Sequence, residues 1–307
     1  MAALMSVLLT ACAVMGSIHG FAHEIPVPDI PWESVTGTKV VRSAIEINNI
    51  VEGQEKALVR RIVRENRIAE KAMDEQMQAL YDELSQEIDA RSGSWSLFLK
   101  RLDDGQVIGI DQDKPMVAAS LIKLFIAGAF YSAVQQGDLN AGDFGDSPDV
   151  MLSRSDNAAA NRLIDALGKD RINAFIKHWR ITPTPGTILN RKMLEDNGTE
   201  NYTTAEDCGR MLESVLKGQF VSEEVSERIL EDLKAQERTS KIPAGVPEDI
   251  QTANKTGELV GVDNDAAIIW GPDCTYILCI MSRDGSGAAA GITKLSQIAY
   301  DNLCRKP

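Results

Sequence analysis

The order of segments predicts an α+β fold, an α/β sandwich in which a five-stranded antiparallel sheet is flanked by helices and carries an inserted all-helical subdomain. Three observations predict it. Two short strand-like segments follow residue 94 and are joined by a tight turn. A long block from 118 to 235 has helical spacing and no strand-like alternation. Three strand-like segments then come in close succession before a closing helix. Short links between consecutive strands require antiparallel neighbours. A sheet whose first two and last three strands bracket a helical insert is the arrangement that buries both.

The elements follow in chain order. Met73, Met77, Leu80, Leu84 and Ile88 recur at spacings of three and four within the charged stretch Gln54 to Ala90, which places one apolar helical face against the domain that follows. Ser94 to Lys100 reads as a strand, Asp103-Asp104-Gly105 as a hairpin turn and Val107 to Ile110 as the returning strand. Ala118 to Gln136 is apolar at helical spacing. Residues 149 to 235 read as helices separated by loops, with a break at Thr182-Pro-Thr-Pro-Gly186. Strands are expected at Ile250 to Lys255, Asp265 to Trp270 and Thr275 to Ser282, and a last helix at Ala288 to Leu303.

Ahead of this domain, read as 71–307, two further segments are expected. Residues 1–22 carry no Lys, Arg, Asp or Glu, and Leu4 to Gly16 is apolar, which reads as an export signal with small residues around Gly20-Phe21-Ala22. Leu9-Thr-Ala-Cys12 resembles a lipoprotein box, making Cys12 or the N-terminal segment a candidate membrane tether. Residues 23–70 read as an extended spacer, Ile25-Pro-Val-Pro-Asp-Ile-Pro31, followed by a helical stalk. An extracytoplasmic location, secreted or anchored on the outer side, follows from this reading. Four cysteines remain in the folded part: Cys208, Cys274, Cys279 and Cys304. They permit disulfides, although Cys274 and Cys279 are five apart, face opposite sides of one strand and cannot pair with each other.

Charge and histidine content narrow the chemistry. The chain has 307 residues with 32 Lys and Arg against 45 Asp and Glu, a net charge of −13. That balance argues against nucleic acid, which demands clustered basic residues. Its three histidines are His19, His23 and His178. Two lie at the extreme N-terminus and the third reads as a helix end, so a multi-histidine metal centre is not supported and no metal or cofactor is expected.

Three short signatures carry the chemistry. Ser120-Leu-Ile-Lys123 is S-x-x-K, Ser155-Asp-Asn157 is S-D-N, and Lys255-Thr-Gly257 is K-T-G. The first alone is weak, since it arises by chance about once in a chain of this length; Ser214-Val-Leu-Lys217 is such an accident. The other two are far rarer, and their order and setting give the set its weight. Ser120 and Lys123 lie one helical turn apart on one face. Their neighbours are almost wholly apolar, so Lys123 is expected to be desolvated, its pKa lowered, and its neutral amine able to take the Ser120 proton. Ser155 suits a proton shuttle, Asn157 a hydrogen-bond donor to substrate, and Asp156 a brace for the turn. Lys255-Thr-Gly257 reads as a strand end, with Thr256 and Lys255 facing a substrate carboxylate and Gly257 letting a substrate backbone approach. Backbone N–H groups of Ser120 and Glu258 are expected to form an oxyanion hole.

Over about Gln76 to Leu303 the chain resembles class A β-lactamase-type serine hydrolases, of the penicillin-recognising enzyme family. The resemblance rests on the three signatures, on Ile242-Pro-Ala-Gly-Val-Pro-Glu248 leading to Ala253-Asn-Lys-Thr-Gly-Glu-Leu259, and on Asn264-Asp-Ala-Ala-Ile-Ile-Trp270. It implies a β-lactamase/transpeptidase-like fold and an amide opened through an acyl-enzyme on Ser120, in a small-molecule β-lactam or a cell-wall peptide. Two departures stand out. The family's loop glutamate lies three residues before a Leu-Asn pair, and here the position before Leu189-Asn190 is Gly186, with Glu195 and Glu200 the nearest substitutes. Ser120 and Ser155 are only 35 residues apart, which predicts a more open cleft. Glu258 also puts a carboxylate where anionic substrates bind, which should weaken them. The leading expectation is a β-lactam hydrolase, with a D-Ala-D-Ala peptidase or penicillin-binding protein as the enzymatic alternative and a catalytically weak binding or sensor module as the non-enzymatic one.

Overall fold

The computed structural model describes residues 74–179 and 186–304. The signal, spacer and stalk readings, Cys12, Met73 and most of the Thr182-to-Gly186 break lie outside the described residues. Within them, helix α1 (Glu75–Asp89) is capped by Asp74 and turns Met77, Leu80, Leu84 and Ile88 inward, the face expected from the spacing. Strands β1 (Ser94–Arg101) and β2 (Val107–Ile110) form the first hairpin. Strands β5 (Gln251–Leu259), β6 (Val262–Trp270) and β7 (Thr275–Arg283) follow the helical block. The order β2-β1-β7-β6-β5 is antiparallel throughout and leaves β5 at an edge.

Both faces of this sheet are covered, so its strands read as nearly continuous apolar runs. Leu97 and Leu99 of β1 join a core with α1 and the closing helix α8 (Ala288–Cys304). Phe98, pointing the other way, joins a second core with α2 (Ile122–Gln135) and α6 (Ala205–Leu216). Cys274, after β6, is disulfide-bonded to Cys304 at the end of α8, while Cys208 and Cys279 are free and buried.

The helical block comprises α2, α3 (Ser147–Ser153), α4 (Asn157–Leu167), α5 (Lys169–Trp179), α6 and α7 (Glu223–Lys234). Helix α2 is its hub: every residue from Ile122 to Tyr131 is buried, as an all-round apolar helix demands. His178 lies in the last turn of α5.

Two local expectations are corrected, and one small element is new. Lys255-Thr-Gly257 does not end a strand; β5 runs on to Leu259, because a tight turn at Val260-Gly261 lets Gly257 and Glu258 pair with Asn264 and Asp263 of β6. The helix expected from Ala118 starts instead as a 3-10 turn, Ala119–Leu121, and becomes α-helical at Ile122. A two-residue pair, β3 (Met116–Val117) with β4 (Tyr202–Thr203), was not foreseen, since two residues leave no periodicity to read.

Candidate active site

Ser120 sits in the 3-10 turn that leads from β3 into α2. The turn is strained: Ala119 has φ 45°, a left-handed conformation that a residue with a Cβ adopts only when its surroundings impose it. Those surroundings are visible. The Asn264 amide donates to the carbonyls of Val117 (2.9 Å) and Ala118 (3.1 Å), while its oxygen accepts from the Ser282 N–H (3.2 Å). The turn is thereby tied to both β6 and β7. Gly257 lies against it, and a Cβ there would come within 2.9 Å of the Ala118 carbonyl and 3.1 Å of the Ser120 nitrogen. The missing side chain of Gly257 thus makes room for the serine turn, a role beyond the substrate approach expected of it.

Lys123, one turn on, is fully buried. Its amine donates to the Ser155 carbonyl (2.6 Å), the Ser155 hydroxyl (3.3 Å) and Asn157 Oδ1 (2.7 Å). Burial pushes its pKa down to about 7, with the Asp156 charge opposing and the Arg238 charge reinforcing the shift. Ser155 occupies the joint between α3 and α4, with φ 60°, and Asp156 caps α4 by accepting from the Ala159 N–H (2.7 Å). That joint aims Ser155 and Asn157 at the lysine. Asp156 braces the turn as expected. Asn157 directs its side-chain oxygen at Lys123, which leaves its NH₂ as the available donor.

Lys255 reaches the same hydroxyl from the sheet. Its amine donates to Ser155 Oγ (2.9 Å) and to the Thr256 carbonyl (2.9 Å). Two amines therefore meet on one oxygen, whose own proton is left to point elsewhere. Lys255 is fully buried, and desolvation together with the Lys123 charge holds its pKa well below the ordinary lysine value. Lys255, expected to add positive charge for a substrate carboxylate, has its amine buried against Ser155 and Thr256.

Two further cations lie beside Glu258, one buried and one half-exposed. Buried Lys241 forms ion pairs with Glu258 (2.9 Å) and Asp263 (3.0 Å) and donates to Thr256 Oγ1 (3.2 Å). Half-exposed Arg238 adds a second ion pair to Glu258 (3.1 Å). Partial burial raises the Glu258 pKa, but the Lys241 and Arg238 contacts outweigh it and hold the carboxyl below its usual range. The Glu258 charge, expected to repel anions, is thus offset by two cations. Below them Asp265 is fully buried, accepting from Asn254 (3.1 Å) and the Ile242 N–H (2.9 Å), and desolvation raises its pKa to about 6. Sequence reading singled out neither Arg238, Lys241 nor Asp265 as functional. Lys241 immediately precedes the Ile242-to-Glu248 block, and only its acceptors in space reveal it.

Ser120, Asn157 and Glu258 open together onto one crevice. Its far wall comes from the loop before β4, through Arg191, Met193, Leu194, Glu200 and Asn201. Gly186, at the expected position of the loop carboxylate, is buried. The residues after it also turn inward. Thr187 donates to Asp207 (2.7 Å) and meets Thr203 (2.8 Å), and Leu189 is fixed through its N–H to Asn173 (2.8 Å). The eight residues expected to act are therefore gathered: Ser120, Asn157 and Glu258 at the crevice, Lys123, Ser155 and Lys255 in the network behind it, Thr256 and Gly257 on the adjoining strand.

The fold recurs in solved structures. A mutant of PBP-A in acyl-enzyme complex with penicillin G is 23% identical, over 73% of this chain and 96% of that one, with a TM-score of 0.67. The β-lactamase of Sphaerobacter thermophilus is 25% identical, over 75% and 97%, with a TM-score of 0.65. The last common ancestor of Gram-negative bacteria β-lactamase class A is 21% identical, over 72% and 98%, with a TM-score of 0.64. No curated protein sequence matches. The model of the β-lactamase enzyme family matches residues 78–143 and 146–303, most of the chain, which therefore belongs to that family as a hydrolase acting on β-lactams.

Proposed function

We propose that the enzyme opens the β-lactam amide through an acyl-enzyme on Ser120, with the neutral amine of Lys123 as general base. The observation that carries this reading is the environment of Lys123. It is a fully buried lysine with a pKa near neutrality, one turn from a serine on a crevice and hydrogen-bonded to a second serine hydroxyl. An amine with that pKa is half deprotonated near neutral pH, where general-base catalysis by it is most effective.

The sequence of events follows from the contacts. Lys123 takes the Ser120 proton as Oγ bonds to the β-lactam carbonyl carbon. As the C–N bond breaks, Ser155 gives its proton to the departing nitrogen and is reprotonated from Lys123, 3.3 Å away. Lys255, bonded to the same hydroxyl, biases that proton outward toward the crevice. Thr256 and half-exposed Arg238 supply polar and positive groups for a substrate carboxylate, and Asn157 a donor for its amide. The N–H groups of Ser120 and Glu258 receive the oxyanion.

The same proposal places the enzyme outside the cytoplasm. The Cys274–Cys304 disulfide supports it, since such bonds persist in oxidising compartments.

Intact-mass spectrometry during reaction with benzylpenicillin tests the chemistry. The wild type is expected to gain the mass of the intact penicillin on Ser120 and then release the hydrolysed product. Ser120→Ala should gain nothing. Lys123→Ala should fold but acylate roughly 100- to 10,000-fold more slowly, the usual contribution of a positioned base. A Lys123→Ala enzyme that acylates at the wild-type rate overturns the assignment of the base. An adduct on the wild type that persists for hours instead supports the peptidase reading.

A further inference from the structure

The geometry points to Glu200 as the general base of the hydrolytic half-reaction, activating the water that releases the acyl group from Ser120. This rests on the acyl-enzyme reading above and extends it to the second step. An ester of a serine needs a positioned base to be hydrolysed quickly, and Gly186, with the residues on either side of Leu189, supplies no carboxylate to the crevice.

Three features single out Glu200. It lines the same crevice as Ser120 and Asn157, where Glu258 is the other lining carboxylate. Glu258 is engaged by Lys241 and Arg238, whereas Glu195 lies outside the crevice and receives the Lys192 N–H (3.0 Å). The Glu200 side chain is also held by one oxygen only. Buried Arg191 donates from Nε (3.2 Å) and an Nη (2.7 Å) to Oε2, while Oε1 receives no hydrogen bond from a described residue. The Glu200 side chain as a whole is 39% exposed, so water reaches it. Finally, its backbone is fixed. The Asn190 amide donates to the Glu200 carbonyl (2.7 Å), and Asn201 accepts from the N–H groups of Asn190 (2.8 Å) and Arg191 (2.9 Å) while donating to the Arg191 carbonyl (3.1 Å). The two limbs of the loop are pinned together next to this carboxylate, the preorganisation that a catalytic group requires.

The step balances with water alone. Glu200 takes one proton as the water oxygen bonds to the acyl carbon. The carbon–Oγ bond then breaks, Ser120 regains a proton, Glu200 returns to its carboxylate form and the product leaves as the carboxylic acid.

The test is a quenched time course with benzylpenicillin, read by intact mass and by product release, on wild type, Glu200→Gln and Glu195→Gln. Glu200→Gln should acylate on Ser120 within about threefold of the wild-type rate but hold the adduct, with turnover lowered roughly 100-fold or more. Hydroxylamine, a nucleophile that needs no base, should release the trapped acyl group from Glu200→Gln as fast as from wild type. Glu195→Gln should turn over normally. Wild-type turnover in Glu200→Gln overturns the proposal, as does an adduct trapped by Glu195→Gln. Equal slowing of acylation and release in Glu200→Gln also overturns it, since that marks a loop brace. Absence of any Ser120 adduct in wild type and variant alike signals instead the failure of the acyl-enzyme reading itself.

Discussion

At the scale of single residues, the site depends on burying amines that water would keep charged. Lys123 is the case whose consequence for stability can be given a sign. Its pKa falls from 10.5 in the unfolded chain to about 7 in the folded one. Between those values the folded protein holds fewer protons than the unfolded, so this lysine opposes folding fully below pH 7 and progressively less as pH rises toward 10.5. The opposition amounts to about 5 kcal/mol below pH 7 and fades across that window. Lys123→Met removes it. Chemical denaturation at pH 6 and pH 9 should therefore show wild type gaining on Lys123→Met as pH rises; a difference between the two that does not change with pH contradicts the burial of a titrating amine. Such a variant exchanges activity for stability, a common relation at sites built from strained or desolvated groups.

At the scale of elements, catalysis is positioned by contacts between neighbours rather than by any one element. The serine turn is clamped between Asn264 of β6 and the bare backbone of Gly257 on β5. Gly257→Ala should push the Ser120 nitrogen and the Ala118 carbonyl away. We expect a melting temperature lowered by a few degrees, for an overpacking cost of about 1–3 kcal/mol, and acylation by benzylpenicillin slowed at least tenfold. Acylation unchanged in that variant would show that the turn has room to spare. These contacts also mark what the sequence could and could not reveal. The signatures at Ser120, Ser155 and Lys255 were legible because each combines rare residue types at fixed short spacing. The apolar runs around Lys123 announced its burial for the same local reason. The continuation of β5 beyond Gly257 was not legible, because Glu258 and Leu259 are committed to the strand by their partners Asp263 and Val262. Lys241, Arg238 and Arg191 were hidden too, since a single basic residue in a loop carries no pattern until the fold sets its partners.

At the scale of the whole molecule, two cores on either side of one sheet divide the work. The core of α1 and α8 includes the disulfide, and the core of α2 and α6 includes the residues around the serine turn. Opening Cys274–Cys304, which closes a span of 30 residues, should lower stability by roughly 3 kcal/mol on chain-entropy grounds. Acylation of the still-folded protein should be unaffected, because the bond lies on the face away from the crevice. Denaturation with and without reductant, paired with the acylation rate, checks both parts. The order of strands and helices was legible from the sequence because strand links are short and the helical block is unbroken by alternation. The arrangement of the loop before β4 was not, since its form rests on the side chains of Asn190, Arg191, Glu200 and Asn201 bonding to one another across the loop.

The most direct measurement is the rate at which benzylpenicillin acylates the wild-type enzyme, followed by rapid quench and intact mass from pH 5 to pH 9. A neutral amine at residue 123 predicts a rate that climbs with pH through an inflection near 7, with that limb missing in Lys123→Ala. A rate that is flat over the whole range, or a limb that survives the substitution, contradicts the account.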